Sequence, residues 1–245
     1  MREWIYGRNP VYETLRAARR NFFQLHVAQG NEGQGVLKEI LSLCQSKKIP
    51  VRWLHKDWFE TLKVSDHQGV ALQVSAYPYH SLQDILGLAK RREEPPLVLI
   101  LDTLQDPQNL GGLLRTAEAI GVHGVVLPLR RTVTVTPTVV TRSSGASEHL
   151  LICQTNLAQA ITLLKEEGLW VIGLERSAEA VRLDQARLDG PLAVVVGSEG
   201  SGMRQLVRSS CDLLIQLPMR GQVGTLNASI AGSVVLYKIW ERRGF

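Results

Sequence analysis

Apolar residues in this chain fall into short unbroken runs separated by stretches of helical spacing, and the two rhythms alternate. From Leu97 onward, Leu97–Leu101, Val122–Leu127, Leu150–Cys153, Trp170–Leu174, Leu192–Val196 and Leu213–Leu217 read as strands. A run such as Leu192-Ala193-Val194-Val195-Val196 offers no polar face. It predicts a strand covered on both sides, and hence a mostly parallel sheet flanked by helices. Between the strands, Asn156 stands as the N-cap of a helix whose Leu157, Ile161 and Leu164 face inward, with Gln159 in the capping-box place. A last helix, from about Leu226 to Arg242, turns Ile230, Val234 and Tyr237 toward the core or a partner.

The first 76 residues carry a smaller αβ pattern. Pro10 to Arg20 reads as a helix with proline early, where its missing N–H costs nothing. Phe22–Ala28 is strand-like, and Val36, Leu37, Ile40, Leu41 and Cys44 make one helical stripe. Val51–Leu54, a short helix around Trp58, and Val70–Val74 complete the unit. Residues 77–95 hold prolines, a modest helical pattern and the run Lys90-Arg91-Arg92-Glu93-Glu94. They read as a linker between a domain of residues 1–76 and one of residues 96–245.

At 245 residues, 44% hydrophobic and 21% charged, the chain has ordinary globular composition, which excludes a disordered or fibrous protein. The formal net charge of +5 favours a polyanionic partner such as nucleic acid, although a merely basic enzyme fits it too. Part of the excess lies early, in Arg8, Arg16, Arg19, Arg20, Lys47, Lys48, Arg52, Lys56 and Lys63. Cys44, Cys153 and Cys211 are far apart and show no Cys-x-x-Cys spacing, which suits buried reduced thiols in a cytoplasmic protein. The start, Met1 to Tyr6, lacks the apolar core of a signal peptide. No apolar run approaches the roughly 20 residues of a membrane span, so no membrane partner is expected.

Three glycine-rich segments each follow a strand-like run. They are Asp106-Pro107-Gln108-Asn109-Leu110-Gly111-Gly112-Leu113-Leu114-Arg115, Gly197-Ser198-Glu199-Gly200-Ser201-Gly202-Met203, and Leu217-Pro218-Met219 with Gly224-Thr225-Leu226-Asn227-Ala228-Ser229. One such loop is an ordinary turn; three at strand C-termini place a ligand crevice there. The second lacks the Gly-Lys-[Ser/Thr] ending of a P-loop and the Gly-x-Gly-x-x-Gly spacing, which argues against ATP and NAD. Asn109 and Arg115 lie near the start of a helix expected from about Leu110, where Gly111 and Gly112 allow close backbone approach. Arg115 there is either a surface ion-pair partner or a guanidinium fork for phosphate.

In order and wording these segments resemble the signature motifs of the SpoU (TrmH) family of RNA ribose 2′-O-methyltransferases, in the SPOUT class. Ser143-Ser144-Gly145-Ala146 is similar to the family's Ser-x-Gly-Ala segment. Gly7-Arg8-Asn9-Pro10 and His67-Gln68-Gly69 are similar to the N-terminal RNA-binding domain of one branch. The resemblance covers nearly the whole chain. It implies an α/β fold whose mostly parallel sheet ends in a C-terminal deep trefoil knot, plus a small N-terminal αβ RNA-binding domain. It further implies a homodimer that uses S-adenosylmethionine and no metal. Carried over by position, Gly197, Leu217 and Leu226 are the cofactor contacts, and Asn109, Arg115, Glu199, Thr225 and Asn227 the catalytic set. Arg8, Asn9, His67 and Gln68 are the RNA-binding residues. Thr225 departs from the family's usual serine but keeps the hydroxyl. The implied reaction is methylation of a ribose 2′-hydroxyl, of a guanosine in structured large-subunit ribosomal RNA. Transfer RNA is an alternative substrate, and an idle RNA-binding or ribosome-assembly protein an alternative role.

Overall fold

The computed structural model describes residues 2–31, 34–64, 66–198, 200 and 202–244. The chain opens with β1 (Arg2–Tyr6), α1 (Arg8–Ala17), β2 (Phe22–Ala28), α2 (Val36–Ser46), β3 (Val51–Leu54), α3 (Lys56–Glu60) and β4 (Val70–Ser75). Then come α4 (Leu82–Arg92), β5 (Leu97–Leu101), α5 (Pro107–Ala119), β6 (Gly124–Pro128) and the short α6 (Pro137–Arg142). The rest is β7 (Ile152–Thr155), α7 (Leu157–Glu166), β8 (Trp170–Leu174), β9 (Val181–Arg182), β10 (Leu192–Val196), α8 (Gln205–Ser210), β11 (Leu213–Gln216) and α9 (Ala228–Arg242). These elements form two compact units, Met1–Pro78 with Val135–His149, and Tyr79–Thr134 with Leu150–Phe245.

The first unit holds a four-stranded sheet of order β1-β4-β2-β3. Strand β4 runs antiparallel to β1 and β2, and β2 parallel to β3. Register places Leu25 and Ile5 opposite Leu72, and Val27 opposite Val70. These side chains are fully buried together with Val11, Leu15, Leu37 and Ile40 of the helices. Helix α1 stops at Ala17 because Ala18 turns left-handed at φ 51°, so Arg20, expected inside the helix, lies beyond it. Its buried guanidinium donates from Nε and Nη2 to the Glu148 carboxylate (2.9 and 2.7 Å), and from Nη1 to Glu3 (2.9 Å). Residues 135–149 thereby belong to this unit rather than to the sheet that precedes them in sequence.

On the other face of β2, His26 is 5% exposed, with its ring 4.6 Å from that of Trp4 and 4.3 Å from that of Trp58. Neither ring nitrogen has a hydrogen-bond partner among the described residues. Burial, and next the Arg52 charge, hold this imidazole below its ordinary pKa, so it is neutral in the folded protein at pH 7. The unfolded chain takes up a proton near pH 6.5 and the folded chain only at lower pH. The stability from this site is therefore present above about pH 6.5 and is lost as pH falls toward the folded value. Thermal melts from pH 7.5 to 5.5 are expected to show a falling Tm in the wild type and a shallower fall in His26→Phe. Parallel curves would show that His26 does not set the slope.

The second unit is built on a seven-stranded sheet of order β7-β6-β5-β10-β8-β11-β9, parallel at every pairing. Strands β5, β10 and β8 are nearly all apolar, and β5 and β10 are buried along their full lengths, as expected for a sheet covered on both faces. The chain steps outward from β5 through β6 to β7, whereas β10 and β8 lie on β5's other side. The centre of the sheet is thus a topological switch point, where such folds open a crevice at the strand C-termini. Residues 77–95, expected as a linker, contain α4, which has Leu82, Ile85, Leu86 and Ala89 buried in this unit. Its signal was the Ser81-x-x-Asp84 capping box, whose two reciprocal hydrogen bonds both form. Helix α5 begins at Pro107 rather than near Leu110, with Asp106 as its cap. Helices α5 and α9 approach closely: a Cβ on Gly232 would come within 2.6 Å of Leu113 Cδ2, and the Thr116 and Ser233 hydroxyls are hydrogen-bonded at 2.8 Å.

Candidate active site

The strands of the second unit deliver the glycine-rich segments to one place. A cavity of about 900 Å³ opens at the C-terminal ends of β10, β8 and β11. Gly197, Leu217, Thr225, Leu226 and Asn227 all line it, together with Gly202 and Met203. Four of its lining residues are glycines, Gly197, Gly200, Gly202 and Gly224.

At Gly197 the absence of a side chain is a steric requirement. A Cβ there would lie 2.6 Å from both the Gly202 carbonyl oxygen and the Met203 nitrogen. The loop closes on itself through paired hydrogen bonds, Ser198 N–H to Gly202 O (3.0 Å) and Gly202 N–H to Ser198 O (3.1 Å). Its exit is held by Asp102, fully buried at the end of β5, which accepts from Arg204 N (2.8 Å) and Nε (2.7 Å). Glu199, expected in the catalytic set, lies outside the described residues.

The third segment is tied to the first by two amides. Asn227 caps α9 through Oδ1, which accepts from Ser229 N (2.9 Å) and Ile230 N (3.3 Å). Its Nδ2 donates to Oδ1 of the buried Asn109 at 2.9 Å. Asn109 and Asn227, 118 positions apart, thus form one unit at the cavity's edge. Arg115 is separate. It is exposed on α5, does not line the cavity, and makes no hydrogen bond or ion pair with the described residues.

Sequence reasoning missed Arg176, Arg208 and Gln216, which also line the cavity, as does Met219 of the third segment. Arg176 donates from Nη1 to Gly224 O at 2.6 Å and so fixes the stretch that leads into Thr225. Arg208 is paired with Glu175 (2.7 Å) and Glu179 (2.8 Å). Their signal was position alone, since Glu175 and Arg176 follow β8 at the same sheet edge. Among the described residues no cluster of His, Cys, Asp and Glu could hold a metal ion. None of the described helices is long and apolar enough to cross a membrane.

Comparison with known proteins supplies the context for this arrangement. Residues 96–237 match the profile of the SpoU rRNA methylase family. The chain belongs to this family. Residues 4–80 match a second profile, described as RNA 2′-O ribose methyltransferase substrate binding. A Bacillus subtilis protein provisionally named as the TrmH family tRNA/rRNA methyltransferase YacO is 41% identical over 98% of this chain and 96% of its own. Among solved structures, an AdoMet-bound rRNA methyltransferase from Sinorhizobium meliloti superposes with a TM-score of 0.80 at 20% identity. That match spans 98% of this chain and 87% of the other. The SpoU methyltransferase AviRb from Streptomyces viridochromogenes, in complex with AdoMet, gives 0.80 at 20%, over 98% and 90% of the two chains. These likenesses establish the family and the fold.

The residues expected to bind RNA lie in the first unit. Asn9 and Gln68 line a small polar cavity of about 290 Å³, with Asp66, Thr141, Arg142 and Ser144. The Arg8 backbone N–H donates to Gln68 Oε1 at 2.9 Å, which joins the two segments. His67 is not among the lining residues. Its Nδ1 accepts from Gly69 N at 2.9 Å and its ring stacks on Phe59 at 5.2 Å, the position of a turn histidine.

Proposed function

We propose that this protein transfers a methyl group from S-adenosylmethionine to a ribose 2′-hydroxyl of RNA, at a guanosine of large-subunit ribosomal RNA. The observation that carries this reading is the convergence of Gly197, Leu217, Thr225, Leu226 and Asn227 on one cavity at the sheet's switch point, with Asn109 bonded to Asn227. Volume and lining suit the cofactor: about 900 Å³, with glycine backbone at Gly197 and Gly202 and apolar contacts from Leu217, Leu226 and Met203. Bound there, the cofactor supplies an electrophilic methyl on a sulfonium. The family's knot would be formed by the C-terminal part of the chain around this cavity.

The chain's own residues then have separable tasks. Asn109 and Asn227 hold the edge of the cavity in one geometry, as a displacement with little room for misalignment requires. Arg115 offers a planar guanidinium fork, whose geometry suits a phosphate clamp. It would hold a substrate phosphate and stabilise the developing alkoxide, with a phosphate oxygen taking the proton. Thr225 and Glu199 complete the set. The first unit would dock the RNA through Arg8, Asn9 and Gln68, with the His67 turn supporting them.

The active form in this reading is a homodimer. Ile230, Val234 and Tyr237 are 54%, 45% and 50% exposed, so the chain's own core does not cover them. They line an apolar groove of about 860 Å³ between α9 and α5, with Gly112, Thr116 and Trp240. A twofold interface is the common solution for such a surface. Tyr237→Glu is expected to give a monomer by light scattering and to reduce methyl transfer at least about tenfold, by analogy with interface hot spots. A monomer that methylates normally at nanomolar concentration would refute the dimeric site.

The deciding experiment supplies radiolabelled cofactor and ribosomal RNA, and maps the product by mass spectrometry. Label on a guanosine 2′-oxygen is expected. Label only on transfer RNA would move the substrate. Calorimetry showing no cofactor binding would leave an RNA-binding protein without this activity.

A further inference from the structure

Strand β6 ends at Pro128 and leads into a turn that carries Leu129, Arg130 and Arg131, all exposed. Neither arginine makes a hydrogen bond or an ion pair with the described residues. No Asp or Glu occurs between Glu118 and Glu148, so the stretch has no local counter-charge. The turn is nevertheless fastened. Thr132 Oγ1 and Val133 N both donate to the Leu104 carbonyl, at 2.9 and 2.8 Å. Leu104 is 2% exposed and stands two residues before Asp106, the cap of α5. Arg131 is held at φ 60°, a left-handed conformation that is unfavourable for a non-glycine residue. Such strain persists where the surroundings impose it, and it gathers at functional positions.

Sheet order locates the turn. Strand β6 neighbours β5, which neighbours β10, and all three run parallel. Their C-terminal ends therefore share one edge, and Gly197 at the cavity follows directly from β10. With strands about 4.8 Å apart, the end of β6 lies roughly 10 Å from the end of β10. That separation is suited to a nucleotide adjoining one held at the cavity mouth.

We propose that the Arg130–Arg131 turn is a phosphate clamp that holds the RNA backbone flanking the target nucleotide as the strand crosses this edge of the sheet. The proposal rests on the reading of the cavity as an RNA methyltransferase site. The contact is to phosphate, so it carries position rather than sequence.

The test uses the full-length protein and ribosomal RNA. Arg130→Ala/Arg131→Ala is compared with Arg131→Gly, which removes one cation while relieving the left-handed strain, and with Arg130→Lys/Arg131→Lys. Loss of two phosphate contacts should reduce the slope of log Kd against log salt by about 1.4, at about 0.7 per contact for single strands. KM for RNA should rise about tenfold, while kcat and cofactor affinity stay within about twofold, since neither arginine lines the cavity. Arg131→Gly should melt at or above the wild-type temperature yet lose about half of the slope change, and the lysine variant should restore both readouts. A double-alanine variant with wild-type slope and KM would overturn the clamp while leaving the cavity's reaction untouched. A wild-type protein without methyl transfer would instead overturn the functional reading, and the salt slope would still decide the turn.

Discussion

Replacing Gly197 with alanine is expected to weaken S-adenosylmethionine binding at least about 100-fold, equivalent to about 2.7 kcal/mol. The added methyl would stand 2.6 Å from backbone atoms of Gly202 and Met203, and backbone cannot swing aside as a flexible side chain can. Relief requires moving the Ser198–Gly202 bridge, which shapes one wall of the cavity. The bridge resists, because Asp102 anchors Arg204 immediately beyond it. The same strain should lower global stability by about 1–3 kcal/mol, the usual cost of overpacking. Calorimetric titration checks the first effect and thermal melting the second. Wild-type affinity in a folded Gly197→Ala protein would remove this glycine from the cofactor wall.

Arg115→Ala is expected to lower kcat by about 100-fold to 1000-fold, the range for loss of one preorganised donor at developing negative charge. Cofactor affinity should stay within about twofold, because Arg115 does not line the cavity. Arg115→Lys keeps the charge but not the planar fork, so it should recover only part of the rate. A chemical step as fast in Arg115→Lys as in the wild type would count against the clamp, since lysine lacks the planar fork. Arg115 follows Gly112 by three positions on α5, and Gly112 borders the α5–α9 groove. In a twofold pair this helix face would be offered to the other protomer's site. A tagged heterodimer of Arg115→Ala with Asn227→Ala then keeps one intact site of the two, and about half of wild-type activity is expected. An inactive heterodimer would place Arg115 in its own protomer's site.

The pairing across α5 and α9 shows how far local pattern reaches. Asn227 as a helix cap and Asn109 near a helix start are both legible from residue type and spacing. The hydrogen bond between them is not, since it depends on α9 returning to lie beside α5. For the same reason Ile230, Val234 and Tyr237 could be placed on one apolar helix face, but not assigned to core or partner. Tertiary packing buries Val235, Leu236 and Ile239 instead and leaves those three exposed.

By itself the sequence determined the elements that local chemistry dictates. Continuous apolar runs gave β5, β8 and β10 to the residue, and their double burial required a parallel sheet. The three glycine-rich segments, and the motifs they resemble, pointed to the family. Short or charged elements escaped, because little of their stability is local: β1 (Arg2–Tyr6) carries two charges, and β9 spans two residues. Helix α4 passed for a linker because its charged end obscured four buried positions. Only the tertiary structure decided the strand order, the assignment of residues 135–149 to the first unit, and the meeting of Gly197, Leu217 and Asn227 at one cavity. Each of these depends on contacts between residues far apart in the chain, which no periodicity encodes.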